Sequence, residues 1–186
     1  TFTPTDDSVY EGNETGIVAI STVSGGSATE SGNQSVTITI NENESAPTVT
    51  LSSSASSIAE NAGSSLTLTA TLSVATAADV TVAIGTSGTG TEGTDYSTIS
   101  DITISAGDLT GTASFTPTDD SIYEGNETGV VAISSVSGGS ATEDGTQSVT
   151  ITITENESSP TVTLATSATS IAENAGTSLT LTATIS

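Results

Sequence analysis

Asp119-Asp120-Ser121-Ile122-Tyr123-Glu124-Gly125-Asn126-Glu127 sets four carboxylates into nine residues. Nearly the same stretch stands earlier, as Asp6-Asp7-Ser8-Val9-Tyr10-Glu11-Gly12-Asn13-Glu14. The 186 residues include 22 acids and no Lys, Arg or His, for a formal charge of −22. Carboxylates at this density repel one another unless a cation sits among them. The missing His, Cys and Lys remove the imidazole base, the thiolate, the Schiff-base amine and the soft ligands of zinc or copper. Carboxylates, hydroxyls and backbone carbonyls remain, and hard calcium prefers those ligands.

The same balance argues against nucleic acid and anionic membrane surfaces as partners, since both need Lys or Arg to replace counterions. No apolar run approaches the roughly eighteen residues of a membrane span, so no membrane insertion is expected of these residues. Without cysteine there is no disulfide, and without lysine no Lys–Asn isopeptide bond, so stability must come from packing, hydrogen bonds and metal. Paired carboxylates can hydrolyse glycosides, but such sites lie in aromatic-rich clefts, and this chain has three Tyr, two Phe and no Trp. No enzyme is expected. Tyr96, Phe115 and Tyr123 read as core or loop anchors.

The elements that must carry these carboxylates repeat along the chain. Phe2 corresponds to Phe115, Pro4 to Pro117 and Ile58 to Ile171, a constant offset of 113 residues. Residues 1–73 align without a gap onto 114–186, with 13 of the 73 pairs differing. Such likeness reads as recent tandem duplication, and the natural protein is expected to continue in both directions. Proline is tolerated where a strand begins, so Pro47 and Pro160 read as the starts of domains. The expected division is the end of one repeat (1–46), a complete repeat (47–159) and the start of a third (160–186).

Alternation of apolar and polar residues, with no helical period, predicts strands throughout. In the complete repeat they fall at Thr48–Leu51, Leu66–Ser73, Val80–Gly85, within Thr98–Ile104, within Gly111–Thr116, within Gly129–Val136, and at Ser148–Thr154. Leu66, Leu68, Ala70 and Leu72 should face inward, against outward Thr67, Thr69 and Thr71. About seven short strands in such a length predict an all-β, immunoglobulin-like Greek-key sandwich, repeated in tandem.

Strands that alternate in direction place alternate connections at the same end. Glu60, Glu92, Asp95, Asp119, Asp120, Glu124, Glu127, Glu155 and Glu157 then share one end, where the chain also leaves for the next domain. Asp79, Asp108, Glu143 and Asp144 share the other. Asp119 and Asp120 can bridge ions, the Ile122 carbonyl can point inward from an irregular loop, and Glu60 and Asp95 would close the site. The bland alternative is that the acids decorate solvated turns and keep a repetitive protein soluble. Clustering at one end favours the metal.

Ile58-Ala59-Glu60-Asn61-Ala62-Gly63, then Gly93-Thr94-Asp95-Tyr96, then the stretch from Asp119 to Glu127, together resemble the Calx-beta domain. The resemblance spans the whole repeat and implies a sandwich that binds calcium at one tip. By position it implies Glu60, Asp95, Asp119, Asp120, the Ile122 carbonyl and Glu124 as ligands, with Glu127 a solvated neighbour. The family often ends in a run of Asp after the last strand; here the segment is Glu155-Asn156-Glu157, whose two carboxylates are the candidate ligands in its place, a departure that implies fewer ions or weaker binding. The same transfer implies Asp6, Asp7, the Val9 carbonyl, Glu11, Glu42 and Glu44 in the first piece, and Glu173 in the last.

The function expected is a calcium-binding structural repeat of an extracellular or cell-surface adhesin, stalk or filament. Its partners would be calcium, neighbouring repeats and other copies in a filament. The location follows from the resemblance and from the abundance of calcium outside cells. Two rivals stand beside it: a module recognising a glycan or protein, and a self-assembling filament subunit completed by neighbouring molecules. Asn-x-Ser/Thr matches such as Asn126-Glu127-Thr128 arise by chance in so Ser- and Thr-rich a chain, and outward Thr rows are ordinary strand residues.

Overall fold

A computed structural model describes residues 1–186 as fifteen strands. Residues 1–46 carry β1 (Val9–Tyr10), β2 (Glu14–Ala19) and β3 (Ser35–Ile40). The central residues carry β4 (Thr48–Ser53), β5 (Ser57–Ala59), β6 (Leu66–Leu72), β7 (Ala75–Thr76), β8 (Val80–Gly88) and β9 (Ile102–Ile104). They continue with β10 (Thr110–Phe115), β11 (Glu127–Ser137), β12 (Thr142–Glu143) and β13 (Ser148–Thr154), after which β14 (Val162–Thr166) and β15 (Leu181–Ile185) close the chain. No helix is long and apolar enough to cross a membrane.

Strands β10-β6-β4-β12 form one sheet of the central sandwich and β5-β13-β11-β8-β9 the other. Between them lie the alternate residues of each strand, among them Val49, Leu51, Leu68, Ala70 and Leu72 from the first sheet. Val80, Val82, Ile102, Ile104, Val131, Ile151 and Ile153 face them from the second. Each Val, Leu or Ile among them contributes about 1.5–3 kcal/mol by leaving water. In β6 the buried residues are Leu68, Ala70 and Leu72, with Leu66 only half-buried at the strand's open end.

All seven expected strands are present, though the fourth shrinks to the three residues of β9. Three short strands join them. β5 crosses to the second sheet and pairs parallel with β13, Ile58 opposite Ile153. β12 pairs parallel with β4, and the Pro47 carbonyl accepts the Thr142 N–H. Two or three residues are too few to show a period in sequence, so these strands exist only through their tertiary partners.

The flanking residues repeat pieces of this sandwich in the same register. β2 and β3 pair with Glu14 opposite Ile40, as β11 and β13 pair with Glu127 opposite Ile153. β14 and β15 pair with Val162 opposite Ile185, as β4 and β6 pair with Val49 opposite Leu72. Burial differs sharply between corresponding positions: Val18 is 50% exposed and Val131 fully buried, Leu181 68% exposed and Leu68 fully buried. One sequence thus makes the same pairings wherever it occurs, and makes a core only where both sheets are present.

Candidate metal centre

The acidic end of the central sandwich is assembled on an aromatic pair. Tyr96 and Phe115, both essentially fully buried, stack with ring centroids 4.7 Å apart. Phe115 ends β10 and Tyr96 lies between β8 and β9, so the stack fixes one loop against another. Gly129 makes room for it, because a Cβ there would meet the Phe115 ring at 2.7 Å. Tyr123, by contrast, is 44% exposed and anchors nothing in the core.

Beside this stack the Asp95 carbonyl accepts the Thr118 N–H at 2.9 Å, and the Thr116 carbonyl accepts the Ser97 N–H at 2.9 Å. The loop carrying Asp95 is held from its other side by Glu92, which accepts from the Thr86 hydroxyl and the Ile99 N–H at 2.7 Å each. Glu92 is therefore committed to the loop. Glu60 follows β5 directly, its N–H donated to the Thr154 carbonyl at 3.0 Å, which sets it beside the segment leaving β13.

Two groups of carboxylates result, each with oxygens within 4.8 Å of one another: Glu60 with Glu155 and Glu157, and Asp95 with Glu124 and Glu127. Asp120 joins the first group through its backbone, donating its N–H to Glu60 Oε1 at 3.3 Å. Its own Oδ1 accepts the Ile122 N–H at 2.6 Å, a tight turn that bends the loop at the residue expected to offer a carbonyl. The charge of Asp119 bears on Glu157 and that of Asp120 on Glu124. Carboxylates from four separate stretches of sequence, at Glu60, Asp95, Asp119–Glu127 and Glu155–Glu157, thus lie at one end of the sandwich.

Glu127 is a correction. It is half-buried as the first residue of β11, and its carboxylate meets Asp95 and Glu124 rather than bulk water. The alternation of β11 places it on the same face as buried Gly129 and Val131, a signal available had the strand been started two residues earlier.

Glu155, expected as a metal ligand at this end, also has a role that its sequence position does not reveal. Its Oε2 accepts the N–H groups of Glu124 at 2.6 Å and Gly125 at 2.8 Å, while Oε1 accepts those of Asn156 at 2.9 Å and Glu157 at 3.0 Å. The Asn126 side-chain oxygen returns the contact by accepting the Glu155 N–H at 3.0 Å. One carboxylate therefore clasps the acidic loop to the departing linker. Gly125 reaches it with φ +81°, a left-handed conformation that favours glycine.

These surroundings polarise the group. Burial, followed by the charges of Glu155 and Glu157 and partly offset by the Asp120 N–H, pushes Glu60 up from 4.5 to about 7. Burial raises Glu124 and Glu127 as well, with Asp95 the next cause for each. The side chain of Glu155 raises Glu157. Glu155 itself is held down at about 2, first by the Glu157 N–H and then by that of Glu124. Glu157 Oε2 is buried without a hydrogen-bond partner. An orphaned carboxylate oxygen among acids, in a chain with no cationic side chain, fits a hard divalent cation held by oxygen.

The first 46 residues keep half of this arrangement. Glu42 accepts the N–H groups of Glu11 at 2.6 Å and Gly12 at 2.7 Å, and Asn13 accepts the Glu42 N–H at 2.9 Å. The Glu44 N–H, then that of Glu11, holds Glu42 down at about 2. Asp7 turns the loop by accepting the Val9 N–H at 2.8 Å. Asp6, Asp7, Val9, Glu11, Glu42 and Glu44 all line an open cleft of 410 Å³. Counterparts of Glu60 and Asp95 are missing from these residues, and no group of three gathered carboxylates forms. Glu173 stands exposed on its turn and joins no such group either.

The family model of the Calx-beta domain matches residues 42–157. A solved structure described as the crystal structure of the apo form of the Calx CBD1 domain is similar at a TM-score of 0.48 and 15% identity. That similarity covers 60% of this chain and 98% of the other. No curated protein matches.

Proposed function

The chain belongs to the Calx-beta domain family, and from that premise we propose that the acidic end of its sandwich is a calcium site that stiffens the junction between tandem repeats. The module is structural and non-enzymatic. The observation that carries the proposal is the joining of ligand loop to linker: Glu155 clasps Glu124 and Gly125 on one side and Asn156 and Glu157 on the other. Whatever orders the loop orders the path to the next repeat.

Glu60, Asp95, Asp119, Asp120, the Ile122 carbonyl, Glu124, Glu127 and Glu157 are the oxygens we assign to the site. Glu155, expected from sequence as a ligand, has both oxygens engaged by backbone N–H groups and is assigned instead to positioning them. Calcium would supply the missing positive charge and a sphere of about six to eight oxygens. The chain's own part is to converge loops from both sheets, hold them through the Tyr96–Phe115 stack, and keep Glu60 and the Oε2 atom of Glu157 shielded from water. The same logic assigns Asp6, Asp7, the Val9 carbonyl, Glu11, Glu42 and Glu44 to the preceding junction, and Glu173 to the following one.

Within this reading, residues 1–46, 47–159 and 160–186 are the end of one repeat, a whole repeat and the start of a third. An array of such units is suited to an adhesin, stalk or filament outside the cell, where each repeat contacts mainly its neighbours and length changes by duplication. Thermal melting in calcium and in chelator, with scattering on the same samples, tests it. The expected result is a higher melting temperature and a more extended, less variable shape with calcium. Identical melting and identical scattering in the two conditions would overturn it.

A further inference from the structure

The acidic loop has a second face. In residues 1–46 it presents Val9 and Tyr10, which form β1 and pair parallel with β7 of the central sandwich, Val9 opposite Ala75 and Tyr10 opposite Thr76. The Tyr10 carbonyl accepts the Ala77 N–H at 3.2 Å. Tyr10 and Glu11 border a cleft completed by Ala77, Ala78, Gly139 and Ser140, at the end of the sandwich opposite its own acidic end.

That receiving face is stiff. Thr76 is 1% exposed, its hydroxyl bonded to the Ala78 carbonyl and its carbonyl accepting the Gly107 N–H at 2.8 Å. Gly139, at φ +53°, packs so closely that a Cβ would meet Thr76 Oγ1 at 2.8 Å. The corresponding Gly26 has nothing within 4 Å of its Cβ position, because residues 1–46 contain no counterpart of β7. Ile122 and Tyr123 repeat Val9 and Tyr10 one period later; they are 61% and 44% exposed, whereas Val9 and Tyr10 are half-buried.

We infer that the acidic loop is itself the docking element between repeats, with Val9–Tyr10 seated on the face that Ala75–Ala78 and Gly139–Ser140 of the following repeat provide. The mode is strand addition: main-chain bonds give the contact and one aromatic side chain fixes its register. The inference rests on the tandem-repeat reading above and names the surface through which that reading works. Asp6, Asp7 and Glu11 lie on the same loop, so order imposed on these carboxylates is order imposed on Tyr10.

The absence of cysteine and lysine allows clean labelling of the whole chain at Ser31→Cys and Ser100→Cys, both exposed. Single-molecule energy transfer between the dyes reads how firmly residues 1–46 are seated on the sandwich. Tyr10→Ala should broaden the distance distribution, and Ala78→Glu, which sets a carboxylate beside Glu11 from the receiving side, should do the same. Tyr123→Ala, the same residue with nothing to dock against here, should leave it unchanged. Equal distributions for parent and Tyr10→Ala, or equal broadening by Tyr10→Ala and Tyr123→Ala, would overturn the inference. Melting of the same variants keeps the two ideas separate: a calcium-dependent shift that survives Tyr10→Ala supports the metal site independently. A parent with no calcium-dependent shift defeats the calcium proposal while the energy-transfer comparison still decides the docking one.

Discussion

Replacing Glu60 by Gln should stabilise the protein without metal and weaken its response to metal. Glu60 is 8% exposed, and its acid form persists to about 7 instead of 4.5. That displacement corresponds to a ceiling of about 3 kcal/mol of strain once the carboxyl ionises. Water around half-exposed Glu155 and Glu157 lowers it, so about 1–2 kcal/mol is expected. Because the folded value is raised, folding favours the protonated form. The contribution is complete below pH 4.5 and is lost as pH rises through about 7. Gln imitates the protonated form at every pH and can still accept the Asp120 N–H through its amide oxygen. In chelator at pH 8, Glu60→Gln should therefore melt about 4–8 °C above the parent, and at pH 4.5 the two should converge. In calcium the order should narrow or reverse, since the variant lacks a charged ligand. Melting curves at the two pH values, each with calcium and with chelator, make the test. Equal destabilisation in chelator at pH 8 and in calcium would refute the reasoning, because Glu60 would then be an ordinary satisfied side chain.

Glu155→Gln should act in the opposite pH range. The depressed folded value of about 2 means that Glu155 contributes stability above 4.5, lost as pH falls through 2; acid titration should show a shallower loss for the variant than for the parent. Gly129→Val should cost about 1–3 kcal/mol in denaturant unfolding, because its side chain enters the Phe115 ring. Gly16→Val, beside the half-exposed Phe2, should cost much less. Asp95→Asn and Glu127→Gln should each shrink the calcium-induced melting shift; a Glu127→Gln variant identical to the parent would return that residue to the solvent.

Much of this molecule was legible in its sequence because the signals were periodic. Alternation in Leu66–Leu72 and Ser148–Thr154 stated which residues face inward, and the repeat supplied two copies of each pattern for comparison. The site was legible at the level of loops: strand counting brings Glu60, Asp95, Asp119, Asp120 and Glu124 to one end with no knowledge of distances. What escaped depends on the backbone. Glu155 is one acid among many in sequence, and only the positions of four N–H groups distinguish it as a clasp. Tyr123 looked like an anchor because aromatics usually are buried, yet its counterpart Tyr10 finds its partner in the following sandwich. β5, β7 and β12 are too short to have a pattern, and β7 owes its pairing entirely to the preceding residues.

The most direct test of the central claim is a calorimetric calcium titration of the whole chain beside the double variant Glu60→Gln with Asp95→Asn. The parent is expected to bind calcium saturably and the double variant to bind fewer ions or to bind more weakly, with both proteins folded in chelator. A parent that takes up no calcium at millimolar concentration, or a double variant that binds as the parent does, would contradict it.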